Sequence, residues 1–200
     1  MQDVAPPFYA AASEKATKIT YYTPRLLGLQ VGASYAPELD RANNVVAVKQ
    51  SAPHDFIEGG VNYMTEIKDI GLAAGATMVR AGDRSIENPD GSYVGYQLGG
   101  QVSYGDLTVG GGYTNYDGAR GIDDGYNVGA IYNRQSYAIG IQYAKMQTLD
   151  GRDFDGIAFG VSHALTDGVL LGADYVRYNS ETVTREVEGN VLLLGTRIYF

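Results

Sequence analysis

Short and long connections alternate without exception between the regular segments of this 200-residue chain, and that alternation constrains the fold more than any other feature. About eleven segments of period-two polarity follow Thr17, near residues 18–23, 27–35, 56–66, 70–80, 93–104, 107–116, 126–133, 137–146, 156–165, 169–178 and 191–200. The connections at 24–26, 68–69, 105–106, 134–136 and 166–168 are short; those at 37–55, 81–92, 117–125, 147–155 and 179–190 are long. A sandwich with Greek-key connections would scatter loop lengths between its two ends. Tight turns at one end and long loops at the other belong to an antiparallel barrel that crosses a membrane. Segment lengths cluster near the roughly 9–11 residues of a tilted spanning strand. The expected fold is all-β: an antiparallel transmembrane β-barrel with about eleven strands in view.

Helical membrane proteins are excluded, because no apolar run approaches the roughly 18 residues such a span requires. The longest patches of large aliphatics are only 169–172 and 191–194. The chain has no cysteine, which removes disulfides, thiolate catalysis and thiolate metal sites together. A net charge of -8 without any basic block excludes a nucleic-acid partner, since phosphate contacts need clustered Lys and Arg.

Sidedness within the segments fits a wall between lipid and water. Tyr96, Leu98, Val102 and Tyr104 alternate with Gln97, Gly99, Gln101 and Ser103; Tyr137, Ile139, Ile141 and Tyr143 oppose Ala138, Gly140, Gln142 and Ala144. Tyr126, Val128, Ala130 and Tyr132 repeat the arrangement, with tyrosine at both ends of the apolar face. Such margins suit membrane–water interfaces, where an amphipathic ring sits at headgroup level. The polar face implies a wet interior rather than a packed core. Strand phase then gives Lys18, Thr20, Tyr22, Gln30, Asn62, Gln97, Gln101, Gln142, Asp174 and Arg197 as pore-lining candidates, with Lys18, Asp174 and Arg197 the inward charges. The plainer role for each is a solvated wall residue with little effect on selectivity. Segment 70–80 alternates poorly and its faces are left unassigned. The acids Asp83, Asp90, Asp123, Asp124, Asp150, Asp153, Asp155, Glu181, Glu186 and Glu188 all fall in long connections.

Catalytic chemistry finds no support. Gly160–Ala164 (GVSHA) has the letters of a nucleophile elbow, but it lies mid-strand, where no strained strand-to-helix turn exists. Ser162 reads as a lumen hydroxyl, His163 as an outward residue near the tight-turn margin, and His54 as a lone loop histidine. Two separate histidines make no metal cluster. Asp150, Asp153 and Asp155 fail the full calcium-loop pattern and read as a solvated acidic loop. No cofactor, metal or catalytic residue is expected.

The last ten residues, VLLLGTRIYF, place Leu192, Leu194, Ile198 and Phe200 on one face and Gly195 and Arg197 on the other. This ending resembles the terminal strand of bacterial outer-membrane barrels, in which the pattern also marks the chain for membrane insertion. Lys18 to Glu38, KITYYTPRLLGLQVGASYAPE, resembles a recurring hairpin of general bacterial porins of the trimeric, sixteen-stranded kind, where x-I-x-Y-Y-x-P precedes a turn and G-x-Q-x-G-x-S-Y. The resemblance covers roughly residues 17–200; it is specific in the first hairpin and last strand and generic between them. It implies a cell outer-membrane location, a homotrimeric parent, and a constriction field set by basic wall residues facing acids on an infolded loop. Tyr22 stands where relatives carry arginine, so the basic wall is weaker here.

Parity adds a further expectation. A long loop precedes the last strand, so that strand runs toward the periplasm, and eleven strands back the first does too. An even-stranded barrel cannot close that way. The resemblance implies the carboxy-terminal part of a sixteen-stranded barrel whose constriction loop follows its fifth strand. The absence of a recognisable secretory signal in MQDVAPPFYA is consistent with this. Residues 1–16 then form an amino-terminal segment, either a remnant of the constriction loop carrying Asp3 and Glu14 or a frayed terminus, and 17–200 form the barrel portion. Alone, that portion would leave two sheet edges that hydrocarbon does not tolerate.

The function expected is passive diffusion of small hydrophilic solutes and ions, with weak cation preference from the acidic mouth. Outer-membrane lipid and lipopolysaccharide are the expected partners. The alternative is an outer-membrane barrel that is not a channel, a secretion translocator or adhesin, although residues 8–17 are short for a plug. A soluble all-β binding protein is a third class.

Overall fold

The computed structural model describes residues 17–38, 54–83, 91–117, 122–148, 151–182 and 185–199. Eleven strands follow one another: β1 (Ile19–Tyr22), β2 (Leu29–Glu38), β3 (His54–Ile67), β4 (Ile70–Asp83), β5 (Gly91–Tyr104), β6 (Leu107–Asp117), β7 (Ile122–Arg134), β8 (Tyr137–Thr148), β9 (Asp153–Thr166), β10 (Val169–Thr182) and β11 (Arg185–Ile198). They form one antiparallel sheet in sequence order, each strand paired with the next, and β1 and β11 are its two unpaired edges. The sheet is open.

Two-residue turns, Lys68–Asp69, Gly105–Asp106, Gln135–Ser136 and Asp167–Gly168, join alternate hairpins at one end. Lys68, Gly105 and Gln135 take left-handed φ values of 57, 53 and 52°. Positive φ at the first turn residue matches the strand twist, at a steric cost for any residue with a Cβ. At the other end the strands run well past the expected boundaries. His54, Asp55, Asp83, Asp124, Asp153, Asp155, Glu181, Glu186 and Glu188 lie within strands, not in loops. The β10–β11 hairpin is laddered through to Thr182 and Arg185, where a twelve-residue connection was expected. The reason is that backbone pairing continues wherever the partner backbone stays in register, whether its side chains are polar or not. Arg177 pairs with Glu188 at 3.5 Å and Asn179 donates to Glu186 at 3.3 Å, joining the polar extension across the two strands.

One face of the sheet is apolar and solvent-exposed. Val61, Leu98, Val102, Val109, Val128, Ile139, Ile141, Phe159, Val161, Leu192 and Leu194 all expose more than a third of their surface there. Register assigns the faces that β4 left open: Ile70, Leu72, Ala74, Ala76 and Met78 join this apolar side, while Gly71, Ala73, Gly75, Thr77 and Val79 face the other way. Tyrosines mark both margins. Near the tight turns stand Tyr104, Tyr132 and Tyr137, the last stacked on His163 at 4.1 Å. Toward the other end Tyr96 leans on Tyr113 at 6.0 Å and Tyr126 on Tyr143 at 6.1 Å. A polar end and an apolar body on each ring favour these margins.

The opposite face is concave and encloses a cavity of about 1240 Å³ lined from all eleven strands. It is not uniformly wet. Ala36, Phe56, Val79, Ala81 and Tyr116 are buried together with Thr114 on this side, toward the ends away from the tight turns. Across β9–β11 the same end turns Phe154, Val176, Tyr178, Val187 and Val191 inward, with Phe154 and Tyr178 stacked at 5.9 Å. The expectation of a polar inner face throughout is corrected at this end.

Candidate pore wall

Strict alternation puts every second residue on the concave face, and the cavity lies against that face, bordered by those positions and by several of the residues between them. Thr20, Tyr22, Asn62, Gln97, Gln101, Gln142, Asp174 and Arg197 line it directly. Lys18 reaches Glu58, itself a lining residue, at 3.6 Å, and the Ser34 hydroxyl also donates to Glu58. Gln30 stands beside the cavity and donates to the Thr23 carbonyl at 3.1 Å. The ten candidates therefore share one face but occupy three different settings.

The group that strand phase missed is Arg25. It sits in the 23–28 connection, where no alternation applies, yet it lines the cavity. It donates to the Gly28 carbonyl at 2.7 Å, Gln30 Oε1 at 3.1 Å and Asn62 Oδ1 at 2.5 Å. Three acceptors fix this charge near the tight-turn mouth. Its one sequence signal is position: a basic residue directly after Pro24, between two inward-phased strands.

Among the described side chains, charge on the wall stands on the two sides of the sheet. Lys18, Arg25, Glu58 and, by phase, Glu66 belong to the β1–β3 side; Asp174 and Arg197 belong to β10–β11. These are three basic and three acidic groups, so the described wall is balanced. From Gly71 on β4 to Thr166 on β9, no described inward side chain is a carboxylate, ammonium, guanidinium or imidazole. The described acids of the long-loop end that face outward include Asp124, Asp153, Asp155, Glu181, Glu186 and Glu188, so the charge of -8 is not carried by the wall.

Leu192, Leu194 and Ile198 project from the apolar face of β11 and are exposed, while Phe200 lies outside the described residues. Ser162 lines the cavity, and His163 stacks on the outer face. His54 is not a loop residue: it opens β3, with Nδ1 2.7 Å from Asp55. Residues 1–16, with Asp3 and Glu14, and Asp150 lie outside the described residues. No three potential metal ligands cluster among the described residues.

A model of the Gram-negative porin matches residues 5–182. The chain belongs to the Gram-negative porin family. Its place is the outer membrane, with the apolar face toward lipid. No curated protein matches the sequence. Among solved structures, the porin fold is similar to an anion-selective porin from Comamonas acidovorans, at 18% identity and a TM-score of 0.66 over 92% of this chain and 59% of that one. It is similar to OprB of Pseudomonas putida at 10% identity and 0.71, over 90% and 57%. A loop-deleted OmpT, an outer-membrane protein of Vibrio cholerae, matches at 16% identity and 0.58, over 100% and 70%. The chain thus spans somewhat under three fifths of the first two porins.

Proposed function

We propose that these eleven strands form most of the wall of a passive diffusion channel for small hydrophilic solutes and ions. The observation that carries this reading is the two-faced sheet: an exposed apolar surface with tyrosine margins outside, and one cavity lined from all strands inside. Solute selection then rests on bore and wall charge, with no bond made or broken. β1 and β11 run in the same direction, so antiparallel closure takes an odd number of further strands. A sixteen-stranded barrel with residues 17–200 as its larger part satisfies this, and homotrimer assembly in lipid and lipopolysaccharide follows from the same reading.

Weak cation preference is part of the proposal and is placed at the mouth. The six described wall charges balance, whereas acids crowd the long-loop end. Reconstituted in a planar bilayer, the protein gives stepwise currents with potassium permeating slightly better than chloride. A preference for chloride contradicts the charge argument, and the absence of steps contradicts the channel.

A further inference from the structure

The concave wall contains a level at which register sets Ala73, Gln101, Gly110, Gly129, Gln142 and Ala158 side by side on six consecutive strands. Gln101 and Gln142 stand as two amides separated by two strands whose residues at that level are glycine. Three inter-strand steps put their Cα atoms about 14 Å apart. The next level toward the mouth reads Gly75, Gly99, Gly112, Asn127, Ala144 and Gly156, so Asn127 rises over one end of the same bare floor. All three amides line the cavity.

We infer that this level is a weak subsite for an uncharged, hydroxyl-rich solute of disaccharide size. The inference rests on the channel reading and names the solute class that the wall favours. A primary amide offers two donors and one acceptor with two lone pairs, so it matches a hydroxyl in either role. The Gln101, Asn127 and Gln142 amides make no side-chain hydrogen bond among the described residues. Glycine and alanine between and beyond them leave room for a ring-sized molecule against the peptide backbone. The absence of charge among the described inward side chains at these two levels of β4–β9 is the discriminating feature. An ion held there would meet no counter-charge, and a neutral polyol pays no ionic desolvation cost there.

The test uses the protein as its outer membrane assembles it, extracted and reconstituted in planar bilayers. Maltose and lactobionate, a disaccharide acid of similar size, are added separately in potassium chloride. Maltose reduces the open-channel current and lactobionate does so at least several-fold less well. Exchanging Gln101→Ala together with Gln142→Ala raises the half-blocking maltose concentration about tenfold, the worth of one to two hydrogen bonds. Equal block by both solutes, no block by maltose, or an unchanged half-blocking concentration in the variant overturns the subsite while leaving the channel standing. If the variant fails to assemble, the maltose–lactobionate comparison on the unaltered protein decides alone. Failure to conduct at all removes the channel reading and the subsite together.

Discussion

The Tyr178 ring covers Gly189, its directly paired neighbour across the β10–β11 ladder, so that a side chain at 189 would occupy the volume of the ring. Tyr116 covers Gly95 in the same way, and Tyr22 covers Gly32. A strand glycine lacks a side chain to pack and weakens its ladder, and an aromatic cross-strand partner restores the missing cover. All three rings lie on the inner face, two of them toward the long-loop end where Phe56, Val79 and Tyr116 form a dry patch.

Gly95→Ala tests this cover, because the new methyl meets both the Tyr116 ring and Val79. The expected loss is about 1–3 kcal/mol, the usual cost of overpacking. Combined with Tyr116→Ala, the pair should cost measurably less than the sum of the singles. Unfolding midpoints read by heat-modifiable gel migration check both statements. Additive losses would show that ring and glycine do not interact.

Ile141 and Gln142 are neighbours in sequence on opposite faces of β8. Ile141→Arg puts a charge into the lipid-facing band and should destabilise by about 2–4 kcal/mol if it sits near the bilayer midplane. Gln142→Arg should leave folding nearly unchanged and shift the reversal potential toward anions, since no described inward charge of β4–β9 offsets it. Equal destabilisation by both would contradict the assignment of faces.

The turn at Gln135 holds a non-glycine residue at φ 52°. Gln135→Gly relieves a left-handed strain of about 1 kcal/mol, less the glycine's greater freedom when unfolded. A raised unfolding midpoint is the expected result. A lowered one would mean that the Gln135 side chain contributes contacts outweighing the strain.

The strands and their faces were legible wherever side-chain size contrasted. β8 alternates Tyr, Ile, Ile and Tyr with Ala, Gly, Gln and Ala, and its faces follow from that contrast. β4 offers Ala74 and Ala76 on one side and Ala73 and Gly75 on the other, all small, so only pairing with β3 and β5 orients it. Strand ends were not legible, because Asp153, Asp155, Glu186 and Glu188 have loop chemistry while their backbones remain in the ladder. On the wall, phase brought out Gln101 and Gln142 but not the level they share, which depends on register across four strands. Arg25 was missed because a turn has no period.

Selectivity set at the mouth carries its own signature in salt. Exposed acids such as Glu186 and Glu188 act over a Debye length, about 30 Å at 0.01 M and 3 Å at 1 M. The potassium-to-chloride permeability ratio should fall toward that of free diffusion as salt rises through this range. Neutralising Glu186 and Glu188 to Gln should lower the ratio at low salt only. A preference that persists at 1 M would place the selecting charge inside the bore.

The chain contains no cysteine, so single cysteines introduced from Tyr137 to Ala144 can each carry one spin label without background. Their collision rates with oxygen, which partitions into lipid, and with a water-soluble nickel chelate measure directly which face of β8 meets which solvent. The account predicts a period of two: positions 137, 139, 141 and 143 favour oxygen, and 138, 140, 142 and 144 favour nickel. Uniform exposure along the strand, or alternation of the opposite phase, would contradict a wall with lipid on one side and a water-filled path on the other.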